Sequence, residues 1–148
     1  MKKLQLHFTP CPNDTFMFFA LVHGIIDSDG LHFTAHMADI EELNRQAIQG
    51  TPDITKISIA TFPMISENYE LLTAGAAVGF ENGPLVVSRK KLYPDELYDA
   101  VIAIPGENTT ANLLLSILFP SVRRKKVFLF SEIEQVVLDG DVDAGLLI

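Results

Sequence analysis

Alternating apolar and polar positions at the start of the chain predict its first strand. Leu4, Leu6 and Phe8 are separated by polar residues, and this period of two is typical of a strand with one buried face. The same alternation returns over residues 31–38, where a second strand is predicted. Both segments are short and end near turn-forming or capping residues, so the chain opens with strands joined by other elements.

Helical signals follow each of these two strands. Residues 16–23 form a short apolar run, and Asn13 or Asp14 is suited to cap its start. Residues 40–49 place apolar side chains at helical spacing after Asp39, an ordinary N-cap residue. The sequence therefore predicts strand, helix, strand and helix in succession.

The rest of the chain continues this alternation. Further strands are predicted over residues 53–58, 71–77, 84–88, 101–104, 126–130 and 143–148, and further helices over residues 59–65, 111–118 and 131–138. Strands that alternate with helices indicate an α/β class with mostly parallel sheets. A charged, proline-containing stretch at residues 89–97 interrupts the pattern, so we place a domain boundary there. This gives a first α/β lobe at 1–90 and a second at 91–148.

Two loops occupy the same place in the predicted fold, directly after a strand and before a helix. The first ends in Asn13, Asp14 and Thr15, and the second ends in Asn108, Thr109 and Thr110. Ligands of open α/β sheets bind at such turns, and amide groups at a helix start favour an anion. One loop in each lobe predicts a cleft that binds a small anionic ligand with a carboxylate or phosphate group. The plainer alternative is that these residues only cap their helices.

Composition and charge exclude some classes of partner. The net charge is −8 and the sequence pI is about 4.8, whereas a nucleic-acid-binding protein needs a basic face. The longest apolar run is too short to span a bilayer, so no membrane partner is expected. Cys11 is the only cysteine, which precludes an intrachain disulfide and favours a reducing, cytoplasmic location.

Other candidate groups have weaker signals. Cys11 has no base nearby in sequence, so a buried, inert thiol is predicted in preference to a nucleophile. His32 and His36 are four residues apart, but in a strand that spacing separates them, and no metal site is predicted. Lys56 and Ser58 lie at the end of the short buried strand predicted at residues 53–58. They could pair as base and nucleophile, but the plainer interpretation is a strand end at which Ser58 faces the cleft.

Five motifs in order resemble one family over essentially the whole chain. They are TPCPNDTF at residues 9–16, DITKIS at 53–58, GPLVVS at 83–88, PGENTTA at 105–111 and DAGLLI at 143–148. The set resembles the menaquinone-biosynthesis enzymes of the futalosine pathway, in particular the 1,4-dihydroxy-6-naphthoate synthases. The first motif is the most specific of the five.

The resemblance implies a fold, a reaction and a set of site residues. The fold is the periplasmic-binding-protein type II architecture, with two α/β lobes and a cleft between them. The reaction is the lyase step that converts cyclic dehypoxanthinyl futalosine to 1,4-dihydroxy-6-naphthoate, without a metal or organic cofactor. The substrate-binding residues implied are Asn13, Asp14, Thr15, Lys56, Ser58, Thr109, Thr110 and Ala111. Two alternatives remain, a non-catalytic small-anion-binding module of the same fold and the chorismate dehydratase of the same pathway.

The chain departs from the family pattern at two places. The turn before the GPLVVS motif is usually richer in glycine than the Phe80 to Gly83 segment found here. In the family a histidine, the expected general base, follows the position of Ile148, and the catalytic residue is therefore unknown here. The fold would be truncated in both lobes, which predicts self-association or pairing with a complementary chain.

Overall fold

The computed structural model describes residues 2–148, which fold as two compact units. The first unit ends at Val78 and the second begins at Gly79. The boundary predicted near residue 90 lies further along the chain, beyond the strand at Leu85–Ser88. That strand pairs with Ala144–Leu147, so its backbone hydrogen bonds place it in the second unit.

The first unit contains a three-stranded parallel sheet with the strand order β2-β1-β3. Its elements are β1 (Lys2–Phe8), α1 (Pro12–Val22), β2 (Leu31–Met37), α2 (Ile40–Ile48), β3 (Ile54–Thr55), a 3₁₀ turn (Ile59–Thr61) and α3 (Phe62–Ile65). β1 pairs with β2 along its whole length, from Lys2 opposite Leu31 to Phe8 opposite Met37. The alternation in the sequence therefore predicted both of these strands correctly.

The core of the first unit follows the sequence periodicity. Leu6 and Phe8 on β1 are buried, and so are Leu43 and Ala47 on α2. The two α2 residues are four apart, so they lie on one side of the helix. The Asp39 side chain accepts a hydrogen bond from the Glu41 amide, which confirms the predicted cap of α2.

The second unit contains a four-stranded sheet with the order β4-β7-β5-β6. Its elements are β4 (Leu85–Ser88), a 3₁₀ turn (Glu96–Tyr98), β5 (Val101–Ile104), α4 (Thr110–Leu118), β6 (Arg124–Val127), a 3₁₀ turn (Phe130–Glu132), α5 (Ile133–Asp139) and β7 (Ala144–Leu147). Strands β6, β5 and β7 run parallel, while β4 is antiparallel to β7. The sheets are thus mostly parallel, as predicted.

The core of the second unit lies on both faces of its sheet. Ile102 and Ile104 pack with Ala111 and Leu115 of α4, because alternate residues of β5 share one face. On the other face α5 packs against β7 at Gly145. A Cβ atom at Gly145 would lie 2.6 Å from Ile133 Cγ2, so only glycine permits this close approach.

Several predicted elements differ from the structure. The strand predicted over residues 53–58 is limited to Ile54–Thr55, and the helix predicted over residues 131–138 spans Ile133–Asp139. Helix α1 begins at Pro12 instead of residue 16, because proline has the fixed φ that suits the first helical position. Residues 71–77 form no strand, and Gly75 there has a left-handed φ of 88°. Strand β6 begins at Arg124 instead of residue 126, since pairing with β5 defines its start opposite Val101. Within residues 2–148 no helix is both long and apolar enough to cross a membrane.

Candidate functional site

The loop after β1 is stabilised by Asp14, which is buried with 3% of its surface exposed. Its Oδ2 atom accepts hydrogen bonds from the Thr9 hydroxyl at 2.8 Å and from the Thr9 amide at 3.1 Å. Cys11, and neither Asn13 nor Asp14, is the N-cap residue of α1, and its side chain makes no capping hydrogen bond. The predicted cap was therefore wrong, because Asp14 lies inside the first turn and binds the preceding loop. The Cys11 thiol is exposed, so the burial predicted for it was wrong, because a residue at the start of this helix lies at the surface of the loop.

Asp14 also pairs with Lys56, which comes from the segment after β3. Lys56 Nζ lies 3.5 Å from Asp14 Oδ1 and donates a hydrogen bond to the Gly75 carbonyl at 2.8 Å. An ammonium group has three donors, and these two contacts use two of them. The structure thus brings together two of the residues that the sequence resemblance implied, and it leaves one N–H of Lys56 for a further acceptor.

Asn13 and Thr15 lie at the start of α1. Asn13 is exposed, whereas the Thr15 hydroxyl donates to the carbonyls of Cys11 and Pro12 at 3.0 and 3.2 Å. Within residues 2–148 the amides of Asn13 and Asp14 have no backbone acceptor, as expected for the first turn of a helix. These two amides can therefore bind an anion, which the helix dipole also favours.

Ser58 is bound to Asn44 of α2 by two hydrogen bonds. The Ser58 amide donates to Asn44 Oδ1 at 2.8 Å, and Asn44 Nδ2 donates to Ser58 Oγ at 3.1 Å. Asn44 is fully buried, with an exposed fraction of 0%. Sequence reasoning missed this residue, because a buried asparagine in an amphipathic helix has no pattern that distinguishes it from a surface one.

The second loop is organised by Thr109, the N-cap residue of α4. Its hydroxyl donates to the Gly106 carbonyl at 2.8 Å and accepts from the Asn112 amide at 3.3 Å. Its exposed fraction is 2%. The side chain of Thr109 is therefore used for capping, which was the plainer alternative considered for this residue.

Thr110 and Ala111 follow this cap at the start of α4. Ala111 is buried in the core, with an exposed fraction of 0%, so it presents no surface to a ligand. Thr110 is partly exposed. Of the three predicted residues in this loop, Thr110 alone presents a side chain at the surface.

A second feature missed by sequence reasoning is the contact between Lys125 and Asn112. Lys125 Nζ donates to Asn112 Oδ1 at 2.8 Å and to Ser116 Oγ at 2.7 Å. Asn112 Nδ2 in turn donates to the Glu107 carbonyl at 2.8 Å. This network therefore connects the loop before α4 to strand β6. Partial burial lowers the pKa of Lys125 below its ordinary value, because desolvation disfavours the charged form.

The histidines form no recognisable metal centre. His7 is buried, with Nδ1 2.7 Å from Gln46 Oε1, and its ring lies 4.6 Å from that of His36. Within residues 2–148 no group of three or more His, Cys, Asp or Glu side chains is arranged to hold a metal ion. His7 is thus satisfied by an amide partner and an aromatic neighbour.

A groove of about 270 Å³ lies in the second unit, away from the predicted site residues. Its walls are mainly apolar side chains of β4, α5 and β7, with Arg89 and Glu134 among the lining residues. Arg89 donates to the Leu138 carbonyl at 3.4 Å, at the edge of the distance for a hydrogen bond. None of the residues predicted to bind the substrate is among those that line this groove.

The fold is that of periplasmic-type substrate-binding proteins. An amino-acid ABC transporter substrate-binding protein from Streptococcus pneumoniae, solved with L-arginine, matches with a TM-score of 0.64 at 15% identity. That match covers 98% of this chain and 66% of the solved chain. At this identity the likeness concerns the fold alone, and it agrees with the α/β units and mostly parallel sheets described above.

The family is defined by closer matches. The chain matches the menaquinone biosynthesis family over residues 4–148 and belongs to that family. It is 40% identical over its full length to a 1,4-dihydroxy-6-naphthoate synthase of Thermus thermophilus, and 39% identical over 98% of its length to one of Streptomyces coelicolor. A crystal structure of an Archaeoglobus fulgidus protein matches 99% of this chain at 40% identity with a TM-score of 0.90.

The chain spans about half the length of these relatives. It covers 53% of the Thermus protein, 52% of the Streptomyces protein and 53% of the Archaeoglobus chain. All five motifs noted in the sequence lie inside the matched region.

Proposed function

We propose that this chain carries substrate-binding residues of a lyase that converts cyclic dehypoxanthinyl futalosine to 1,4-dihydroxy-6-naphthoate. The observation that carries the proposal is the similarity to two synthases of that name, at 40% and 39% identity over nearly the whole chain. Membership of the menaquinone biosynthesis family supports the same pathway.

In the first unit the proposed contacts are hydrogen-bond donors. They are the amides of Asn13 and Asp14, the remaining N–H of Lys56 and the hydroxyl of Ser58, with Thr15 beside them at the start of α1. A cation and several donors suit a carboxylate group, because hydrogen bonds to a charged group are stronger than neutral ones. Asp14 itself can only accept hydrogen bonds. We propose that it orients the ammonium group of Lys56, whose Nζ lies 3.5 Å from Asp14 Oδ1.

In the second unit the proposed contacts are at the start of α4. Thr110 offers a partly exposed side chain, and the Thr109 cap fixes the turn that presents it. Ala111 is buried and packs in the core below this turn. Donors at a helix start stabilise an oxyanion that develops during cleavage. None of these groups is a general base, so we assign them binding and charge stabilisation and no proton abstraction.

We propose that the enzyme works in the cytoplasm. Cys11 is a free, exposed thiol, and such thiols persist most readily in a reducing compartment. The proposed chemistry calls for no cofactor from the chain.

The test supplies cyclic dehypoxanthinyl futalosine or chorismate to the purified chain, alone and co-expressed with the other half of the Thermus relative. Product formation is followed by mass spectrometry, and binding is followed by calorimetry. Conversion of cyclic dehypoxanthinyl futalosine to 1,4-dihydroxy-6-naphthoate is the expected result. Conversion of chorismate instead would assign the sister activity of the pathway.

A second candidate is a non-catalytic module that binds a small anion. The fold match to a substrate-binding protein at a TM-score of 0.64 favours it. In that case the calorimeter would report binding, but neither preparation would turn over any of the compounds. Lys56→Met is the matched variant, because it removes the cation and should weaken carboxylate binding under either function.

A further inference from the structure

The contact between Asn44 and Ser58 joins a fully buried side chain to a proposed ligand-binding residue. Two hydrogen bonds, at 2.8 and 3.1 Å, hold the serine from α2. Ser58 is partly exposed and immediately precedes the 3₁₀ turn at Ile59–Thr61. The asparagine therefore lies behind the serine and reaches no ligand itself.

The chemistry of the two partners fixes the direction of each hydrogen bond. The Ser58 backbone N–H can only donate, so the atom of Asn44 that faces it must be the carbonyl oxygen. The other atom, Nδ2, can only donate, so Ser58 Oγ must accept from it. The side-chain amide of Asn44 thus has one orientation that satisfies both contacts.

This arrangement leaves the proton of the Ser58 hydroxyl available. A hydroxyl has one donor and can accept as well, and Asn44 uses an accepting lone pair. In the part of the chain from residue 2 onward, the Ser58 hydroxyl donates to no protein acceptor. The serine is therefore held as a donor toward a ligand.

We propose that Asn44 is a positioning residue that makes Ser58 a hydrogen-bond donor to the carboxylate of the substrate. The inference rests on the proposed function, because it takes Ser58 as a substrate contact. In this proposal Asn44 affects substrate binding through the serine hydroxyl that it positions. Its effect must therefore disappear when the serine hydroxyl is removed.

Asn44→Asp is the most direct test, because the aspartate side chain has the same shape as asparagine but reverses the direction of the hydrogen bond to Ser58 Oγ. The carboxylate still accepts from the Ser58 amide, but it has no N–H to give to Ser58 Oγ. The hydroxyl would then donate to the carboxylate, and its proton would turn away from the ligand. We expect KM to rise at least about tenfold with little change in kcat, the range for a lost hydrogen bond to a charged group.

A double-mutant cycle with Ser58→Ala tests whether the two residues act as a unit. Each single variant should raise KM, and the double variant should be no worse than either one. Independent, multiplicative effects would overturn the proposal. Asn68→Asp is the control, since it adds the same charge at an exposed position. If Asn44→Asp does not fold, the uncharged Asn44→Ser takes its place in the cycle.

A measurement without substrate separates this inference from the proposed lyase function. In the ¹⁵N spectrum of the free chain, the side-chain NH₂ of Asn44 should exchange slowly with water and shift in Ser58→Ala. Rapid exchange and no shift would overturn the inference even if the lyase is active. A chain that turns over no compound yet shows the protected amide would refute the lyase proposal and leave the hydrogen-bonded pair standing.

Discussion

Thr109 and Asp14 each stabilise one of the two loops, but they do so with different functional groups. Thr109 caps its helix with a hydroxyl that both donates and accepts. Asp14 instead reaches back from within the first turn to bind Thr9, and it carries a charge that Lys56 compensates. Both side chains are buried, so substituting either should change stability in a measurable way.

Thr109→Val should lower the free energy of unfolding by about 1 kcal/mol, because the N-cap hydrogen bond is lost without a change in shape. Urea denaturation measures this loss. The exposed Thr73→Val is the control, and it should be nearly neutral. Thr110→Val should instead weaken carboxylate binding with less effect on stability. A Thr109→Val protein as stable as the original would show that the cap contributes nothing.

Asp14→Asn should destabilise the first unit by about 1.5–3 kcal/mol, the range for hydrogen bonds to a charged group. The amide can still accept from Thr9, but the charge that faces Lys56 is gone. Thermal unfolding with and without the substitution gives the difference. Arg45→Gln breaks the pair with Glu41, in which the arginine is 54% exposed, and we expect a change below about 0.5 kcal/mol. Equal effects would mean that burial of the pair does not matter.

Tyr69 makes the stability of the folded chain depend on pH in the alkaline range. Burial, and secondly the charge of Asp53, raise the pKa of Tyr69 above its ordinary value of 10.0. The folded state then holds the phenol proton more tightly than the unfolded state, so stability falls as the pH rises above about 10. Tyr69→Phe should lack this fall, although at neutral pH it loses about 1 kcal/mol with the hydrogen bond to Pro52.

Urea titrations at pH 8 and pH 10.5 measure this difference. Tyr98→Phe is the matched control, since Tyr98 is 58% exposed. If stability declined equally in the Tyr69→Phe variant, another group would be responsible for it.

At the scale of the secondary elements, the packing of α5 on β7 leaves little room for a larger side chain. Gly145→Ala would place its Cβ 2.6 Å from Ile133 Cγ2 and 2.8 Å from Val137 Cγ2. We expect a loss of about 1–3 kcal/mol, because an overpacked core has to shift its side chains. Chemical denaturation of the whole chain gives the value. Gly83→Ala is the control, since its Cβ would meet nothing within 4 Å. If Gly145→Ala left the free energy of unfolding unchanged, α5 would be able to shift away from β7 without cost.

The two units use the same order of elements and the same strand arrangement. Strands β1, β2 and β3 have the order β2-β1-β3, and β5, β6 and β7 repeat it as β6-β5-β7. In each set, the aspartate that precedes the third strand accepts a hydrogen bond from a backbone amide of the first strand. Asp53 accepts from the Gln5 amide and Asp143 from the Val101 amide, both at 2.8 Å. The two loops of interest therefore occupy equivalent places, although the sequence has no detectable repeat.

At the scale of the whole molecule we expect the chain to self-associate or to pair with a complementary chain. Large apolar side chains are exposed in both units, including Phe16 at 87% and Phe80 at 86%. Surface of this kind favours association, while the net charge of −8 opposes it. Sedimentation velocity over a range of concentrations and salt should show species larger than 16.3 kDa that grow as salt screens the charge. A monomer under all conditions would contradict this expectation.

The sequence by itself determined the features that depend on neighbouring residues. The alternation around Leu6 predicted β1, Asp39 predicted the start of α2, and the ordered motifs indicated the family. These signals are local, because periodicity and capping act within a turn or a strand. For the same reason the predicted strand at residues 71–77 failed, since a strand needs a partner and none pairs with it within residues 2–148.

Only the tertiary structure decided which side chains meet. Lys56 faces Asp14, Asn44 holds Ser58, and these partners come from different elements that the parallel sheet brings side by side. Their contacts depend on strand order and helix placement, which no local pattern encodes. The sequence thus determined the elements and the family, while the fold determined which polar groups are satisfied internally and which remain available to a ligand.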